Sequence, residues 1–475
     1  MKKIKRLITC IVVGALAMTG FVFTTGCNST IPYDLSYVAW NLSTESANNI
    51  ERRMIAEFER RHDVRVQIKE AGTGAAYLMA LSGWAAMDVF PDVFLAPNLA
   101  FGMTHGYFAN ISELAYGDED WANIPEVVRD AVNFRGTAWA VPFAMHMMGY
   151  FVNKTLLENQ NIAALSVAPD FEDMIDAVRA VSSQEGLIGL NTEDHIFEWY
   201  AASVDPDLGW FAWNEEEEIF ALNSPAFQQG LAATRSIREE AITFRALDEE
   251  QRDALGAFSD DVDFWNAGRM GLRWGQTFEI PDMLENSIDE FGNEKFEIGF
   301  LGVPGGRTPI VPDFLGISPT SRNPELAWEF AKWMSFSPEG ISYRLHLVRT
   351  YGAAHNIFMN TMPMTMDEDV IDEFFDLWPV YGLREAYESL NKYGIVEGVK
   401  VVPGFMMARW DAPLPAALVS RANTDGVTTI GTLIDNVWNG RLDITDFPEI
   451  QRLASDRFEM AIEGFRPQYL GSPSQ

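Results

Sequence analysis

The chain has 475 residues, of which 47% are hydrophobic, and it includes 14 Trp and 32 Phe. This length exceeds what one hydrophobic core usually organises, so we expect two lobes, and the hydrophobic content excludes disorder as the dominant state. The formal net charge of −33 at pH 7 creates a field that repels nucleic acid and anionic membrane surfaces, and it disfavours anionic solutes.

The N-terminal segment has the pattern of an exported protein. Met1 to Arg6 is positively charged and Leu7 to Phe23 is apolar, which indicates a secretory signal peptide. A retained membrane anchor is the weaker alternative, because 17 residues is at the short limit for spanning a bilayer. Thr24 to Cys27 (TTGC) resembles the lipobox of bacterial lipoproteins, with Thr24 where Leu is more common. The resemblance implies that Cys27 is diacylated and becomes the new N-terminus.

The cysteine content agrees with lipidation. The chain contains Cys10 and Cys27 alone, and Cys10 lies within the predicted signal peptide, so the processed chain would form no intrachain disulfide. We therefore predict a signal peptide over residues 1–26 and a lipid-anchored tether over residues 27–34. Burial of acyl chains contributes about 0.8 kcal/mol per CH2, so two chains would hold the protein at the outer face of the cytoplasmic membrane.

Alternating strands and helices follow the tether. The predicted elements are a strand Leu35 to Trp40, a helix Ser43 to Arg61, a strand through Val64, Val66 and Ile68, a helix Ala75 to Trp84 and a strand Pro91 to Ala96. In the first helix the spacing places Met54 and Phe58 inward and Glu51 outward. Strand and helix alternation predicts a parallel sheet, whose strand carboxyl ends form ligand sites. Trp40 and Asn98, each just after a strand, are therefore predicted to face a cleft.

The stretch from Trp139 to Lys154 (WAVPFAMHMMGYFVNK) indicates a change from one structural unit to another. Ala138 to Val141 is predicted to be a strand that Pro142 ends, and Met145 to Val152 is predicted to be a second strand. A proline between two strands is a natural hinge, because a few terminal residues can absorb the change in dihedral angles. A strand kink inside one domain is an equal alternative from these residues alone.

The same stretch resembles the first interdomain crossing of the extracellular solute-binding proteins that serve ABC importers, the class typified by maltose-binding protein. In that class a hydrophobic residue and a proline precede an aromatic-rich strand that ends in Tyr-Asn-Lys. Here the strand ends in Val152-Asn153-Lys154, with Val152 where Tyr is more common. The resemblance implies that His146, in the hinge strand, contacts a ligand.

Two segments of the following region resemble ligand-contacting segments of this class. The loop Asn191 to His195 follows a predicted strand, and by position Asp194 is the best match to a ligand residue. Phe264 to Trp274 resembles the segment in which a helix, a glycine turn and a strand present an aromatic residue to the cleft, although Gly271-Leu272 replaces the usual Ala-Met. This resemblance implies that the ligand contacts are Trp274, Gln276 and Phe278.

Later segments resemble the return crossings between lobes. Ile298 to Pro304 is predicted to be a strand that reaches the second crossing, with Pro304 as a hinge residue. Pro312 to Met334 resembles the segment after the return to the first lobe, which implies that Asp313 is a ligand carboxylate. A third crossing is predicted between Tyr343 and Ala353. The remainder is predicted to be mostly helical, with an interruption at Pro403 to Pro413 that carries Trp410 as a further stacking platform.

The sequence contains none of the common catalytic motifs. There is no G-x-S-x-G, no H-E-x-x-H, no Walker loop and no EF-hand spacing, and the six His show no metal-ligand spacing. We therefore expect no catalysis, no metal and no cofactor. A single Trp is more often core than cleft. Aromatic rings at strand ends, however, suit stacking on the face of a pyranose, while Asp, Asn and Gln bind its hydroxyls.

The resemblance implies a two-lobed α/β fold of the type II periplasmic-binding-protein class, in which each lobe is a mixed, mainly parallel sheet flanked by helices. We expect residues 35–141 and 302–345 to form the first lobe and residues 142–301 and 346–475 the second. The implied function is that of a monomeric, extracellular, lipid-anchored protein that captures a mono- or oligosaccharide and delivers it to an ABC permease. A binding protein for a cationic solute such as a polyamine, using Asp194 and Asp313, stays open, as does a surface glycoside hydrolase.

Overall fold

The computed structural model of the protein describes residues 33–42, 49–256, 258, 260–352, 355, 357–422, 426–443 and 446–470. The predicted signal peptide, Cys27 and most of the predicted tether lie outside these residues. Within the described ranges, no helix combines the length and the apolar character needed to cross a membrane.

The strands and helices of the described chain alternate over most of its length. The strands are β1 (Leu35–Val38), β2 (Val66–Ile68), β3 (Val93–Ala96), β4 (Asn133–Phe134), β5 (Thr137–Ala138), β6 (Val141–Asn153), β7 (Ile188–Leu190), β8 (Trp213–Asn214), β9 (Ile219–Phe220), β10 (Met270–Gln276), β11 (Ile298–Leu301), β12 (Thr308–Ile317) and β13 (Gly394–Val396). The helices are α1 (Ile50–His62), α2 (Ala75–Ala86), α3 (Leu99–His105), α4 (Ser112–Tyr116), α5 (Glu119–Ala122), α6 (Glu126–Asp130), α7 (Lys154–Asn159), α8 (Phe171–Ser182), α9 (Ile196–Val204), α10 (Pro225–Glu239), α11 (Glu249–Leu255), α12 (Asp261–Asn266), α13 (Ile280–Asn286), α14 (Pro324–Met334), α15 (Pro338–Tyr351), α16 (Glu368–Phe375), α17 (Leu383–Glu388), α18 (Leu390–Tyr393), α19 (Gly398–Val401), α20 (Ala416–Ala422), α21 (Ile430–Trp438) and α22 (Phe447–Glu463).

The main sheet consists of two halves. In the first half β2, β1 and β3 are parallel, as the alternation of strands and helices predicted, and β12 and then β6 continue the sheet in antiparallel fashion. In the second half β6 pairs antiparallel with β10 and β11, and β10 pairs in parallel with β7. Helices flank both halves, so the fold is a mixed α/β fold.

Strand β6 belongs to both halves of the sheet. It pairs with β12 as far as Met147 and with β10 from Met148 onward. The prediction that Pro142 ends a strand is wrong, since Pro142 lies inside β6 opposite Phe314. The register shifts at this point, and a bulge tolerates a residue that has no N–H to donate. The change of partner therefore occurs five residues beyond Pro142, and a hinge at Pro142 stays a prediction.

Pro304 lies in the tight turn between β11 and β12. The Val303 N–H donates to the Arg307 carbonyl at 2.7 Å, and Gly305 and Gly306 have positive φ angles that favour glycine. The turn is followed directly by β12, which pairs with both β6 and β3 and so carries the chain back to the first half.

The last third of the chain contacts both halves. Helix α15 packs against α1 and α14, and α16 packs against α15, so Tyr343 to Tyr351 lie in one helix that stays beside the first half. Strand β13 then pairs with β12, and α21 and α22 pack beside the turn Met407–Asp411. The C-terminal end of the chain lies beside the first half. The ring of Phe465 contacts Phe134, and the ring of Tyr469 contacts Trp139. A third crossing between Tyr343 and Ala353 stays a prediction.

Glu51 is buried, whereas the helical spacing placed it outward. Arg344 of α15 reaches it, with Nη1 3.4 Å from Glu51 Oε1, and both side chains are 5% exposed. Arg344 also donates to the Met334 carbonyl at 3.0 Å. The buried pair therefore joins α1 to α15, which helical spacing within α1 could not reveal.

Replacing Arg344 tests this buried pair. We expect Arg344→Ala to lower the free energy of unfolding by about 3–5 kcal/mol, because Glu51 would be left as a buried charge without compensation. Arg349→Ala is the matched control on the same helix, since Arg349 pairs with Glu373 in an exposed setting, and it should cost less than about 1 kcal/mol. Equal losses in urea unfolding would contradict the assignment.

Glu397 follows β13 and is buried at the junction of the two halves. Its N–H donates to the Ile310 carbonyl at 2.8 Å, and its Oε2 accepts from the Val399 N–H at 3.0 Å. Burial, helped by the negative charge of Glu198, raises the pKa of Glu397 to about 8, although the Val399 N–H and Lys400 act in the opposite direction. The carboxyl group is therefore protonated over much of the neutral range.

This pKa predicts a loss of stability in mild alkali. Because the pKa of Glu397 is higher in the folded state than in the unfolded state, its stabilising contribution is complete below the unfolded value and is lost as the pH rises through about 8. The free energy of unfolding should fall by about 1–2 kcal/mol between about pH 6.5 and about pH 8. Glu397→Gln should remove this fall, while Glu339→Gln, at an exposed carboxylate, should retain it. A fall that persists unchanged in Glu397→Gln would refute the assignment.

Candidate functional site

A cavity of about 220 Å³ lies where the two halves of the sheet meet. Most of its lining comes from the first half, from the end of β1, from β3, β6 and β12 and from helices α1 and α15, while the turn after β10 contributes Phe278 from the second half. The lining residues are Trp40, Asn41, Glu51, Leu95, Phe143, Ala144, His146, Phe278, Asp313, Arg344, Asn360 and Thr361. Four residues that were predicted from widely separated segments therefore come together here, namely Trp40, His146, Phe278 and Asp313.

Aromatic rings from both halves line the cavity. Trp40 lies in the short turn Trp40–Leu42 at the carboxyl end of β1, and its ring meets Tyr77 edge to face at 5.2 Å. Phe278 lies in the turn Thr277–Glu279 directly after β10, is 48% exposed, and meets His146 edge to face at 5.5 Å. The ends of β1 and β10 thus each contribute an aromatic ring to the lining.

Both carboxylates of the lining are paired with cations. Lys400 Nζ donates to Asp313 Oδ1 at 2.7 Å and lies 5.4 Å from the centroid of the Trp40 ring. Glu51 is paired with Arg344, as described above, and Asn360 Nδ2 lies 3.5 Å from the same carboxylate. The charged groups of the cavity therefore cancel in pairs.

Two polar atoms of the lining have no hydrogen-bond partner among the described residues. They are Asn41 Oδ1 and His146 Nδ1, and both are buried. Burial lowers the pKa of His146, and Lys400 also lowers it, against the opposing effect of Asp313. The ring is therefore neutral near pH 7, with one donor and one acceptor nitrogen. Buried polar atoms without partners are costly, so a solute with hydroxyl groups would improve this site by pairing with them.

Two of the other predicted residues use their polar groups within the protein. Asn98 caps α3, and its Oδ1 accepts from the Phe101 N–H at 2.8 Å. Gln276 forms a reciprocal cap with Glu279, and its N–H donates to that carboxylate at 2.9 Å. Neither residue is in the cavity lining.

Trp274 is 7% exposed and is held firmly in the second half of the sheet. Its N–H donates to Asn191 Oδ1 at 2.8 Å, and its carbonyl accepts from Asn191 Nδ2 at 3.1 Å. Its ring stacks between His195 at 5.5 Å and Trp210 at 6.5 Å. The ring thus contributes to packing in the second half, outside the cavity lining.

Asp194 and Trp410 also lie outside the lining. Asp194 Oδ2 lies 3.2 Å from Arg245 Nε, while its Oδ1 is buried without a partner among the described residues. Trp410 belongs to the π-helical turn Met407–Asp411 and is 36% exposed, with its ring edge-on to Phe405 at 6.0 Å. The structure does not bring these two residues into the cavity, so their ligand contacts stay predictions.

Sequence reasoning missed several lining residues. Asn41 directly follows Trp40, and Phe143 lies in the same strand as His146, so adjacency to a predicted site residue could have found both. Asn360 and Thr361 have no such signal. Thr361 reaches the cavity because its hydroxyl accepts from the Met145 N–H of β6 at 2.9 Å, a contact that depends on tertiary structure.

A carboxylate beside this region is held ionised by its neighbours. Glu198 accepts from Arg409 Nε at 2.9 Å, and its other oxygen lies 3.1 Å from His195 Nδ1. Burial raises the pKa of Glu198, but His195 and Arg409 together outweigh this effect and hold it below its usual value. Both carboxylate oxygens of Glu198 are therefore paired with protein side chains, which indicates a structural role.

The arrangement suits binding of a small polar solute. It combines aromatic faces, paired charges and unpaired polar atoms, and the described residues contain no cluster of three His, Cys, Asp or Glu side chains that could hold a metal ion. A larger surface hollow of about 610 Å³ lies between residues 160–169 and α8. Its lining contains no aromatic side chain, so it lacks the features that the cavity combines.

Solved structures with the same fold bind or transport small solutes. An ABC substrate-binding protein from Listeria monocytogenes in complex with cycloalternan is 17% identical with a TM-score of 0.57, over 91% of this chain and 99% of that chain. The GacH receptor of Streptomyces glaucescens, solved unliganded and with acarbose, is 15% identical with a TM-score of 0.57, over 91% and 99%. The sugar-binding protein MalE from Xanthomonas citri is 13% identical with a TM-score of 0.63, over 93% and 100%. At these low identities the similarity shows the fold alone, and it confirms the predicted two-lobed α/β class.

The sequence comparisons identify the family. A search of curated proteins found no match. Residues 53–354 match the family described as bacterial extracellular solute-binding protein, and this match covers more than half of the chain. The resemblance read from the interdomain segments is thereby confirmed, and the chain belongs to the bacterial extracellular solute-binding proteins, a family of binding proteins and not of enzymes.

Proposed function

We propose that the protein captures a neutral carbohydrate in the cavity between its two lobes and delivers it to the transmembrane subunits of an ABC permease. The observation that carries this proposal is the composition of the cavity. Trp40 and Phe278 offer stacking surfaces from opposite halves, and Asn41 and His146 offer polar atoms without partners. A sugar ring presents C–H faces to the former and hydroxyls to the latter.

The pairing of charges favours a neutral solute over a cationic one. A polyamine would need a free carboxylate, but Asp313 is bound to Lys400 and Glu51 to Arg344. Asp194, the other carboxylate considered for this role, is paired with Arg245. Displacing Lys400 or Arg344 would leave a cation unpaired at a largely buried position, which is costly. The cavity also contains Asn41 and Asn360, amide side chains that suit hydroxyl groups.

The similar solved structures support the same solute class. One contains cycloalternan and another was solved with acarbose, and both ligands are carbohydrates. The cavity of about 220 Å³ is smaller than the roughly 300–1,000 Å³ of pockets that enclose drug-sized ligands. It therefore suits one or two sugar rings in the present conformation, and a longer saccharide would require the lobes to separate.

We further propose a hinge motion about the strands shared by the two halves. From the sequence, the lobes are predicted to be residues 35–141 with 302–345, and residues 142–301 with 346–475. The packing of α16 on α15 supports assigning residues up to about the end of α16 to the first lobe, while Pro142 and Pro304 remain the proposed hinge prolines. Closure would expel water from the cavity, and the solute would contribute the difference in affinity between open and closed states.

The proposed location is the outer face of the cytoplasmic membrane, with the protein monomeric and anchored through Cys27. The support is the charged and apolar N-terminal sequence, the Thr24 to Cys27 lipobox-like segment, and a family that is extracellular. Anchoring would keep the protein close to its permease and so raise the effective concentration of the captured solute there.

Binding should be detectable as a thermal shift with neutral saccharides and absent with polyamines. A ligand at a hundred times its dissociation constant that binds only the folded state adds about 2.7 kcal/mol to stability. We expect Trp40→Ala and Phe278→Ala each to weaken binding at least about tenfold, the effect of losing about 1.4 kcal/mol of stacking. Phe291→Ala is the matched control, since Phe291 is 80% exposed and lies outside the cavity lining.

Three results would contradict the proposal. A shift with polyamines alone would favour a cationic solute. A saccharide recovered in cleaved form would favour a glycoside hydrolase. Binding that survives both cavity variants but is lost in Phe291→Ala would move the site away from the cavity.

A further inference from the structure

Helix α2 is apolar on its outer side as well as its inner side. Residues 71–87 contain no charged side chain, in a chain of which 22% is charged. Within α2 only Tyr77 and Leu81 are buried, and the Tyr77 hydroxyl donates to the Leu95 carbonyl at 2.8 Å. A surface helix normally has a polar outer face. The packing of Tyr77 and Leu81 therefore does not explain why the opposite face is apolar.

Three of the exposed side chains of this region are large and apolar, and the exposed Asp88 lies between two of them in the sequence. Met79 is 75% exposed, Met87 is 63% exposed and Val89 is 49% exposed, and Trp84 beside them is half-buried. Lys69 Nζ lies 5.2 Å from the centroid of the Trp84 ring. We call the outer surface of α2 and of the residues that follow it, with Met79, Met87, Asp88 and Val89 exposed and Trp84 half-buried, the α2 face. It combines long apolar side chains with a Trp and a Lys, the residues that proteins place at membrane interfaces.

The α2 face lies near the point where the N-terminal segment joins the fold. The Asp34 N–H donates to the Arg65 carbonyl at 2.9 Å, and strand β2 then runs to Lys69, whose ammonium group donates to the Val89 carbonyl. Four residue steps of strand separate Arg65 from Lys69, which corresponds to about 13 Å. The beginning of the described chain is therefore about 13 Å of strand away from the lysine that contacts Val89, at one end of the α2 face.

The sequence before this point is directed to a membrane under either interpretation. Leu7 to Phe23 is apolar, and it indicates a signal peptide before a lipidated Cys27 or, in the weaker alternative, a retained anchor. The tether of residues 27–34 spans at most about 26–29 Å when fully extended. The first lobe is thus held within reach of the bilayer surface.

We infer that the α2 face rests on the phospholipid bilayer that anchors the chain. The strongly negative surface elsewhere is repelled by anionic lipid, whereas the α2 face, which carries one exposed carboxylate at Asp88 and the ammonium group of Lys69, can approach and bury its apolar side chains at the level of the headgroups. At 12 residues the helix is too short to span the membrane, so it lies in the plane of the interface. This inference rests on the anchoring part of the proposed function and is independent of which solute the cavity binds.

Photo-crosslinking tests the contact. The full chain is incorporated into phosphatidylcholine vesicles that contain a phospholipid with a photoactivatable group near its headgroup, and crosslinked peptides are mapped by mass spectrometry. We expect crosslinks within residues 75–89. Met79→Asp combined with Met87→Asp should reduce them at least about tenfold, since a charged side chain opposes burial at the interface. Met460→Asp is the matched control, because Met460 is 53% exposed on α22 in the other half.

Every other outcome would overturn the inference. Crosslinks confined to residues 1–34, or equally frequent on α22, would show that the α2 face does not meet lipid. Crosslinks between two copies through α2 in solution would assign the face to a second chain. Failure of the full chain to associate with vesicles would remove the anchoring on which the inference rests. The saccharide thermal shift of Met79→Asp/Met87→Asp should equal that of the unmodified chain, which separates this test from the test of solute binding and shows that the variant folds.

Discussion

The continuity of strand β6 is the constraint on which the rest of the structure depends. A single hydrogen-bonded strand pairs with β12 on one side of Met147 and with β10 on the other, so the two halves of the sheet cannot separate there without losing backbone hydrogen bonds. The middle of β6 therefore lies next to strands of both halves. His146 lies at this position, and the cavity forms around it because β1 and β10 end nearby.

A second constraint is electrostatic. The chain carries a net charge of −33, yet the carboxylates of the cavity are each bound to a cation, and Glu397 close by is largely protonated at neutral pH. Burying unpaired charges at the junction would cost several kcal/mol per ion, so pairing lets the two halves approach. Because the charged groups are paired, the polar atoms of the lining without a hydrogen-bond partner among the described residues are uncharged ones, at Asn41 and His146. A neutral solute can form hydrogen bonds with them, and the cavity therefore suits a neutral solute.

Local patterns predicted most of the first half, whereas the site depended on long-range contacts. The order β1, α1, β2, α2, β3 follows from hydrophobic periodicity, and Trp40 follows from its position at a strand end, whereas Phe278 was implied by the resemblance to the solute-binding family. The Glu51 and Arg344 pair joins residues 293 positions apart, so no local signal places Glu51 inward. Pro142 was expected to end a strand because proline removes a donor, but a register shift in β6 accommodates it. The apolar exterior of α2 was visible in the sequence, yet it appeared ordinary until the structure showed which residues of α2 are buried.

The most direct test of the account is a crystal structure of the protein with a bound neutral saccharide. The account predicts a sugar ring between Trp40 and Phe278, hydrogen bonds from the sugar to Asn41 and His146, and intact pairs between Asp313 and Lys400 and between Glu51 and Arg344. A saccharide bound in the surface hollow beside α8, or bound in the cavity only after one of these pairs is broken, would contradict it.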